Sequence, residues 1–349
     1  MALRQDQGAS EQPEAPTTVI GRLADAVNRH RVALRRLGVA MSFVIVTVSI
    51  FIFGRTLVKI DLAQFESAFR ATSAQQILLA LGLAATSYLA LTGYDALALR
   101  HLGSRVPYPL TALASFTSYA ISFTLGFPLV TGGAVRYWIY GPAGLSAGRI
   151  ASLTVVAGIT FWLGMGLVLA SGFLFDASAI GEINQFPASL NRAIGAALIG
   201  LLLIYLFWVA RLRRQGRGVL LHFRLPGAMV TLGQTTLGVI DVCAAAGALY
   251  VLLPSGNAVG FPAFAALYSF AAMLGIASHS PGGLGVFEAT MIKGVGGSPD
   301  RLLASLLLFR VIYYIVPFVL ALALLGAHEA ARRWRSLSEA IEKAELDDD

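Results

Sequence analysis

Eight stretches of predominantly apolar residues run through this chain, at roughly 37–57, 76–99, 109–131, 150–175, 192–210, 228–253, 261–278 and 302–326. A bilayer core about 30 Å thick takes about 20 apolar residues per helix, so each stretch is long enough to cross one or to fill most of it. Composition agrees: 26 Lys and Arg with 19 Asp and Glu make 13% charged residues, against 56% hydrophobic ones. Soluble domains carry about 25% charge, and here there is too little polar surface to cover a water-soluble globule. With lipid as the solvent, backbone polar groups must pair within the protein, which favours helices. The expected fold is an all-α integral membrane protein with about eight membrane helices.

The first stretch follows Arg29, Arg31, Arg35 and Arg36 and reads as an uncleaved anchor, too long for a signal-peptide apolar region and without a small-residue cleavage site. Residues 1–36 are then an N-terminal tail, 37–327 a polytopic membrane domain and 328–349 a C-terminal tail, with neither tail large enough for a catalytic domain. The single Cys243 excludes an intramolecular disulfide, a thiolate zinc cage and a CxxC motif, and the five His have no HExxH spacing, so neither a metal site nor a cofactor is expected. The net charge of +7 would suit nucleic acid, but its Arg are interleaved with the spans, and a membrane surface explains them without a nucleic-acid partner. Gly132-Gly133 is not followed by the Lys-Ser/Thr of a phosphate loop, and neither paired carboxylates nor a nucleophile elbow is visible. Transport or scaffolding is therefore expected rather than conventional catalysis.

Basic residues cluster in three places: six in 1–36, five in 211–224 with no acid among them, and four after 327. The positive-inside rule makes all three cytoplasmic, while the linkers 176–190 and 254–260, which carry no Lys or Arg, fall outside. Eight simple crossings would put the Arg211–Arg224 loop opposite the N-terminus. The conflict disappears if 109–175 and 261–326 each make a net single crossing that includes a short or re-entrant segment. Both contain helix-breaking runs: Pro128 to Gly133 followed by Gly141-Pro142, and Ser278 to Gly285 followed by Gly294, Gly296 and Gly297. Such breaks persist in a membrane only inside protein or beside a wet cavity. The two Gly-Gly units would cross in opposite senses, the arrangement of an inverted repeat, and Tyr119, Leu125, Gly126 and Gly132-Gly133 echo Tyr268, Leu274, Gly275 and Gly282-Gly283.

Charges inside spans are the sharpest functional signals, because each costs about 2.5 to 3.5 kcal/mol at a helix centre. They are Asp95, Arg136, Asp241, Glu288, Lys293 and Arg310. Arg136 and Glu288 each follow a Gly pair, and would either pair across a central cavity or separately hold a zwitterionic or anionic headgroup. The structural alternative has Arg136 reaching an interface and Glu288 pairing with Lys293. Arg310 and Asp241 are weaker candidates, and Asp95 reads as interfacial or structural, at the cytoplasmic end of its helix. His279 precedes the Pro-Gly-Gly break and is a candidate proton relay, since imidazole titrates near neutral pH, yet a lone His on an apolar segment is more often a satisfied core residue. Tyr137, Trp138 and Tyr140 suit headgroup depth.

The stretch from Ser118 to Gly164, containing FTLGFPLVTGGAVRYWIYGPAGLSAGRIASLTVVAGITFWLG, and SHSPGGLGVFEATMI at 278–292 resemble the membrane region of lysylphosphatidylglycerol synthases, the flippase part of the multiple peptide resistance factors. The resemblance spans most of 35–328, and its GGxxRY and PGGxGxxE motifs are specific together. It implies a multi-span protein of the bacterial inner membrane that moves an aminoacylated or other phospholipid between leaflets, while the Lys and Arg bias makes both termini cytoplasmic. It carries Gly132, Gly133, Arg136 and Tyr137 into the first motif and Pro281, Gly282, Gly283, Gly285 and Glu288 into the second. The bifunctional proteins add further spans and a soluble aminoacyl transferase domain; here the chain ends about 23 residues after the last apolar stretch, so the synthase activity is not expected. The expected partners are a phospholipid headgroup and membrane lipids, with a homo-oligomer as a further candidate. The competing function is a non-transporting membrane partner that positions a lipid-modifying enzyme.

Overall fold

A computed structural model of the chain describes Glu66, Phe69, Arg70 and residues 72–347, apart from 127, 215–218, 221–222, 225–226, 255–258 and 279. Its helices, in chain order, are α1 (Ala74–His101), α2 (Tyr108–Leu125), α3 (Pro128–Tyr140), α4 (Ala147–Phe175), α5 (Ala177–Asn184) and α6 (Ala188–Arg214). They continue with α7 (Ala228–Tyr250), α8 (Phe261–Ala277), α9 (Val286–Val295), α10 (Pro299–Arg310) and α11 (Val316–Asp347). A 3-10 turn covers Pro281–Gly283 and a π turn joins α10 to α11 at Val311–Ile315. The expected all-α fold is what the chain adopts. The sole extended pairing among the described residues is a two-residue antiparallel ladder, Val219–Leu220 with Phe223–Arg224, in the basic loop.

Five helices are long and apolar enough to cross a membrane: α1, α4, the Ala188–Leu212 part of α6, the Met229–Tyr250 part of α7, and the continuous run Pro299–Trp334; α8 is a shorter apolar helix of 17 residues. The expected count of eight is not reached among the described residues. The first expected span, 37–57, lies outside them, and 109–131 is not one helix.

The first unit breaks earlier than expected. Pro128-Leu129-Val130-Thr131-Gly132-Gly133 is helical throughout, as the start of α3. Pro is tolerated there because its missing N–H would be unpaired in the first turn of a helix anyway. The break falls at Gly126, whose φ of 81° and ψ of −177° occupy a region essentially restricted to glycine. Its exposed backbone groups are satisfied locally: the Gly126 amide donates to the Ser122 carbonyl at 2.8 Å, and Thr131 Oγ1 donates to the Gly126 carbonyl at 3.1 Å. In the second unit the break falls where expected, with Gly282, Gly283 and Gly285 all at positive φ between α8 and α9. The echo of glycines therefore does not extend to backbone conformation, since Gly126 is a break where Gly275 is helical. What the units share is the order of parts: α2, a break, the short α3 and the long α4, against α8, a break, the short α9 and the long Pro299–Trp334 run.

Small residues set the closest helix crossings. A Cβ built on Gly164 of α4 would lie 2.2 Å from the backbone of Gly238 in α7, and one on Gly172 would lie 2.3 Å from the Ala266 side chain of α8. Van der Waals packing of this kind drives helix association in lipid, where apolar side chains gain little from leaving the acyl phase. Along α6, by contrast, Leu201, Leu203, Ile204, Phe207 and Trp208 are exposed, a face for acyl chains.

Candidate functional site

Each of the two motif charges is matched inside the protein. Arg136, on α3 and 2% exposed, makes a forked pair with Asp95 of α1, which is 0% exposed: Nε reaches Oδ2 at 2.9 Å and Nη2 reaches Oδ1 at 2.7 Å. Tyr140 adds a hydroxyl to Asp95 Oδ2 at 3.1 Å, and the guanidinium lies 4.8 Å from the centre of the Tyr119 ring. Gly132 makes the arrangement fit, because a Cβ there would come within 2.9 Å of Ser122 Oγ and 3.1 Å of Arg136 Nη1. Gly133 turns toward Thr154 of α4, and Tyr137 is half-buried against the core.

Glu288, in the first turn of α9, is paired with Arg310 at the end of α10, and its other oxygen accepts the Gly285 amide at 2.7 Å. Arg310 also donates through Nη1 to the Gly282 carbonyl at 3.1 Å and lies 5.3 Å from the centre of the Tyr314 ring. One guanidinium thus ties together the 3-10 turn, α9 and α10. The alternative pairing of Glu288 with Lys293 does not occur: Lys293 is exposed. Pro281 opens the 3-10 turn, and His279 lies outside the described residues.

The expectation that Arg136 and Glu288 face a common cavity is corrected, and of the two readings of Asp95 the structural one is what the buried pair with Arg136 fits. Each charge has a partner on a neighbouring helix, as a buried charge must. Asp95 lies near the end of its helix yet is fully buried, because Arg136 and Tyr140 reach it from α3.

A cavity does open nearby, with a different lining. Ser122, Gly126 and Pro128 come from the first break, Gly275, Ser280, Gly282 and Gly283 from the second, and Phe123, Phe161, Tyr268, Phe287, Tyr313 and Tyr314 give it aromatic walls. The two breaks meet here: a Cβ on Gly282 would touch the Phe123 carbonyl at 3.4 Å. Asp241 of α7 also lines the cavity. It accepts hydrogen bonds from Ser87 and, at 2.8 Å, from Tyr94, both on α1. Ser87 Oγ lies in turn 2.6 Å from the hydroxyl of Tyr313 in the π turn, and Tyr88 donates to the Tyr313 carbonyl at 3.1 Å. Ser87, Tyr94 and Tyr313 gave no signal in the sequence, being common residues whose role is set by which carboxylate they reach. Among the described residues, no group of three His, Cys, Asp or Glu side chains is placed to hold a metal ion.

Broken helices that meet at a cavity, each braced by an ion pair, define a polytopic α-helical membrane protein with discontinuous segments. More narrowly, the chain belongs to the lysylphosphatidylglycerol synthase TM region family, whose family model matches residues 37–321. It is 36% identical over 268 residues to "Uncharacterized protein slr0712" of Synechocystis, covering 74% of this chain and 83% of that one. It is 27% identical over 289 residues to "Inner membrane protein YbhN" of Escherichia coli, covering 81% of this chain and 89% of that one. A third relative, "Phosphatidylglycerol lysyltransferase" of Staphylococcus aureus, is 26% identical over 244 residues, covering 68% of this chain but 28% of the longer protein. The match leaves most of that enzyme uncovered, so the transfer in its name does not come to this chain with it.

Proposed function

We propose that this protein moves a phospholipid with an anionic or zwitterionic headgroup, aminoacylated or not, between the leaflets of the inner membrane. The observation that carries the reading is the cavity at the junction of the two helix breaks, where Gly126, Gly282 and Gly283 bring unwound backbone to a space between apolar helices. Irregular backbone at membrane depth is tolerated beside a wet cavity, and discontinuous helices are the usual site of substrate handling in transporters. The names of the relatives support a membrane setting and a link to phosphatidylglycerol chemistry.

In this reading the motif residues hold the two breaks in place. Gly132 and Gly133 admit α3 between α2 and α4, Arg136 ties α3 to α1, Tyr137 packs beside it, and Pro281, Gly282, Gly283, Gly285, Glu288 and Arg310 shape the second break. Direct contact between Arg136 and a phosphodiester requires the Asp95 pair to open, after which the planar guanidinium could meet phosphate with two hydrogen bonds. The same internal pairing favours a second reading, a membrane partner that positions a lipid-modifying enzyme, since charges that satisfy one another need no headgroup. Leaflet-resolved quenching of headgroup-labelled phosphatidylglycerol and phosphatidylethanolamine in vesicles containing the purified protein separates the two. Movement faster than in protein-free vesicles is expected; rates no faster than in protein-free vesicles for both lipids would leave the partner reading standing.

A further inference from the structure

The cavity holds a carboxylate that is short of a positive charge. Among the described residues lining it, none is Lys, Arg or His, and Asp241 is the one acid. Asp95 and Glu288 have Arg136 and Arg310 beside them; Asp241, 2% exposed, has the neutral hydroxyls of Ser87 and Tyr94 instead. A buried ionised carboxylate without a counter-charge is costly, and an intramembrane acid in that position is a functional site by default. A path also leads to it. Ser87 donates to Asp241, so its oxygen is left to accept from Tyr313, 2.6 Å away, and Tyr313 is among the residues lining the cavity.

We propose that Asp241 is a proton-binding site, loaded from the cavity through Tyr313 and Ser87, whose occupancy is coupled to lipid movement. The coupling rests on the transport reading above; the binding site does not. In loading, a proton from cavity water joins the Tyr313 oxygen as the phenolic proton passes to Ser87 Oγ and the Ser87 proton passes to Asp241 Oδ1. At each hydroxyl one O–H bond forms and one breaks, and the net change is one proton taken from water and one O–H bond made on Asp241. A proton suits the site better than a metal ion, which would require the Ser87 and Tyr94 hydroxyls to turn away from the carboxylate they now donate to. The other ionisable groups close enough to feel the Asp241 charge are Tyr88 and Tyr94 of α1, Tyr119 of α2, Tyr268 of α8, Tyr313 of the π turn and Cys243 of its own helix. α4 faces the cavity with Phe161 and Met165, and Arg310 of α10 is engaged by Glu288.

The π turn supplies the mechanical link. π turns occur as single-turn insertions, frequently at functional sites, and this one follows directly on Arg310, which braces the second break, and contains Tyr313, which reaches Ser87. A change in its register would rotate one of these side chains relative to the other, so gain or loss of the Tyr313–Ser87 hydrogen bond and release of the brace draw on a single element.

Infrared difference spectra of the purified protein in lipid, taken across a pH series, test the binding site without any transport. A protonated-carboxyl band that titrates in the parent and is missing in Asp241→Asn is expected, and in Tyr313→Phe and Ser87→Ala the same band should shift in frequency as a hydrogen bond is lost. A parent spectrum with no titrating band that any of these variants alters overturns the proposal, as does a band that responds to sodium at constant pH and not to protons. Should Asp241→Asn fail to fold, the two hydroxyl variants carry the test alone. In vesicles, a gradient of about one pH unit should shift the steady-state distribution of labelled lipid by up to about tenfold at one proton per lipid, and Asp241→Asn should remove that shift. Lipid movement indifferent to the gradient overturns the coupling. A titrating band in a protein that moves no lipid overturns the transport reading and keeps the proton site.

Discussion

At the scale of single residues, the two motif charges act first as braces, which changes what their removal should do. Arg136→Ala would strand Asp95 as a fully buried carboxylate, and breaking a buried pair from one side costs about 3 to 5 kcal/mol. Thermal unfolding in detergent should therefore show Arg136→Ala well below the parent, with Arg136→Lys intermediate, since a point charge keeps attraction but loses the fork. The double variant Asp95→Asn with Arg136→Gln should recover much of the loss, because no charge is then left unmatched; a double variant no more stable than the singles would contradict the brace. The sequence already singled out both charges by their rarity in apolar stretches, and it singled out Asp241 in the same way. It could not pair them. Asp95 and Arg136 are separated by 41 positions and Glu288 and Arg310 by 22, and which acid meets which base depends on how the short helices fold back.

At the scale of helices, the sequence located the irregular segments and misplaced one of them. Gly132-Gly133 looks like a break because glycine is a poor helix former, yet in α3 it is there for space, and the adjacent Pro128 begins the helix instead of ending one. The real break, Gly126, is a lone glycine after an apolar run and had no local mark beyond that. The two kinds of glycine should respond differently to a methyl group. Gly126→Ala forces a backbone region that only glycine visits easily, at about 1 to 3 kcal/mol. Gly132→Ala keeps its helical backbone but drives a Cβ toward Ser122 and Arg136, at about 1 to 3 kcal/mol of overpacking. Pairing the latter with Ser122→Gly should restore stability, whereas no neighbouring substitution should rescue Gly126→Ala; differential scanning of the four proteins checks this.

At the scale of the whole molecule, the apolar stretches made the all-helical membrane fold legible, because in lipid the backbone has few other options. Orientation is a separate matter, resting on the distribution of Lys and Arg. The loop at Arg211–Arg224 and both termini are expected on the cytoplasmic side. In a background with Cys243→Ser, a cysteine introduced by Arg214→Cys should resist an impermeant maleimide added to intact cells and react after permeabilisation; labelling before permeabilisation would reverse the assignment. The crossing of α4 and α7 at Gly164 and Gly238 bears on how such a molecule moves. Two backbones in direct contact leave no gap through which either helix can slide, so this point behaves as a fulcrum, and Asp241 is one helical turn along the lever from it. On the proposed transport reading, the motion would come from parts hung around the pivot, α3 and α9, each short and attached through glycine. Gly238→Ala, whose Cβ would lie 2.7 Å from the Gly164 Cα, should prise the fulcrum open and loosen Asp241 from Ser87 and Tyr94 even with every motif residue intact.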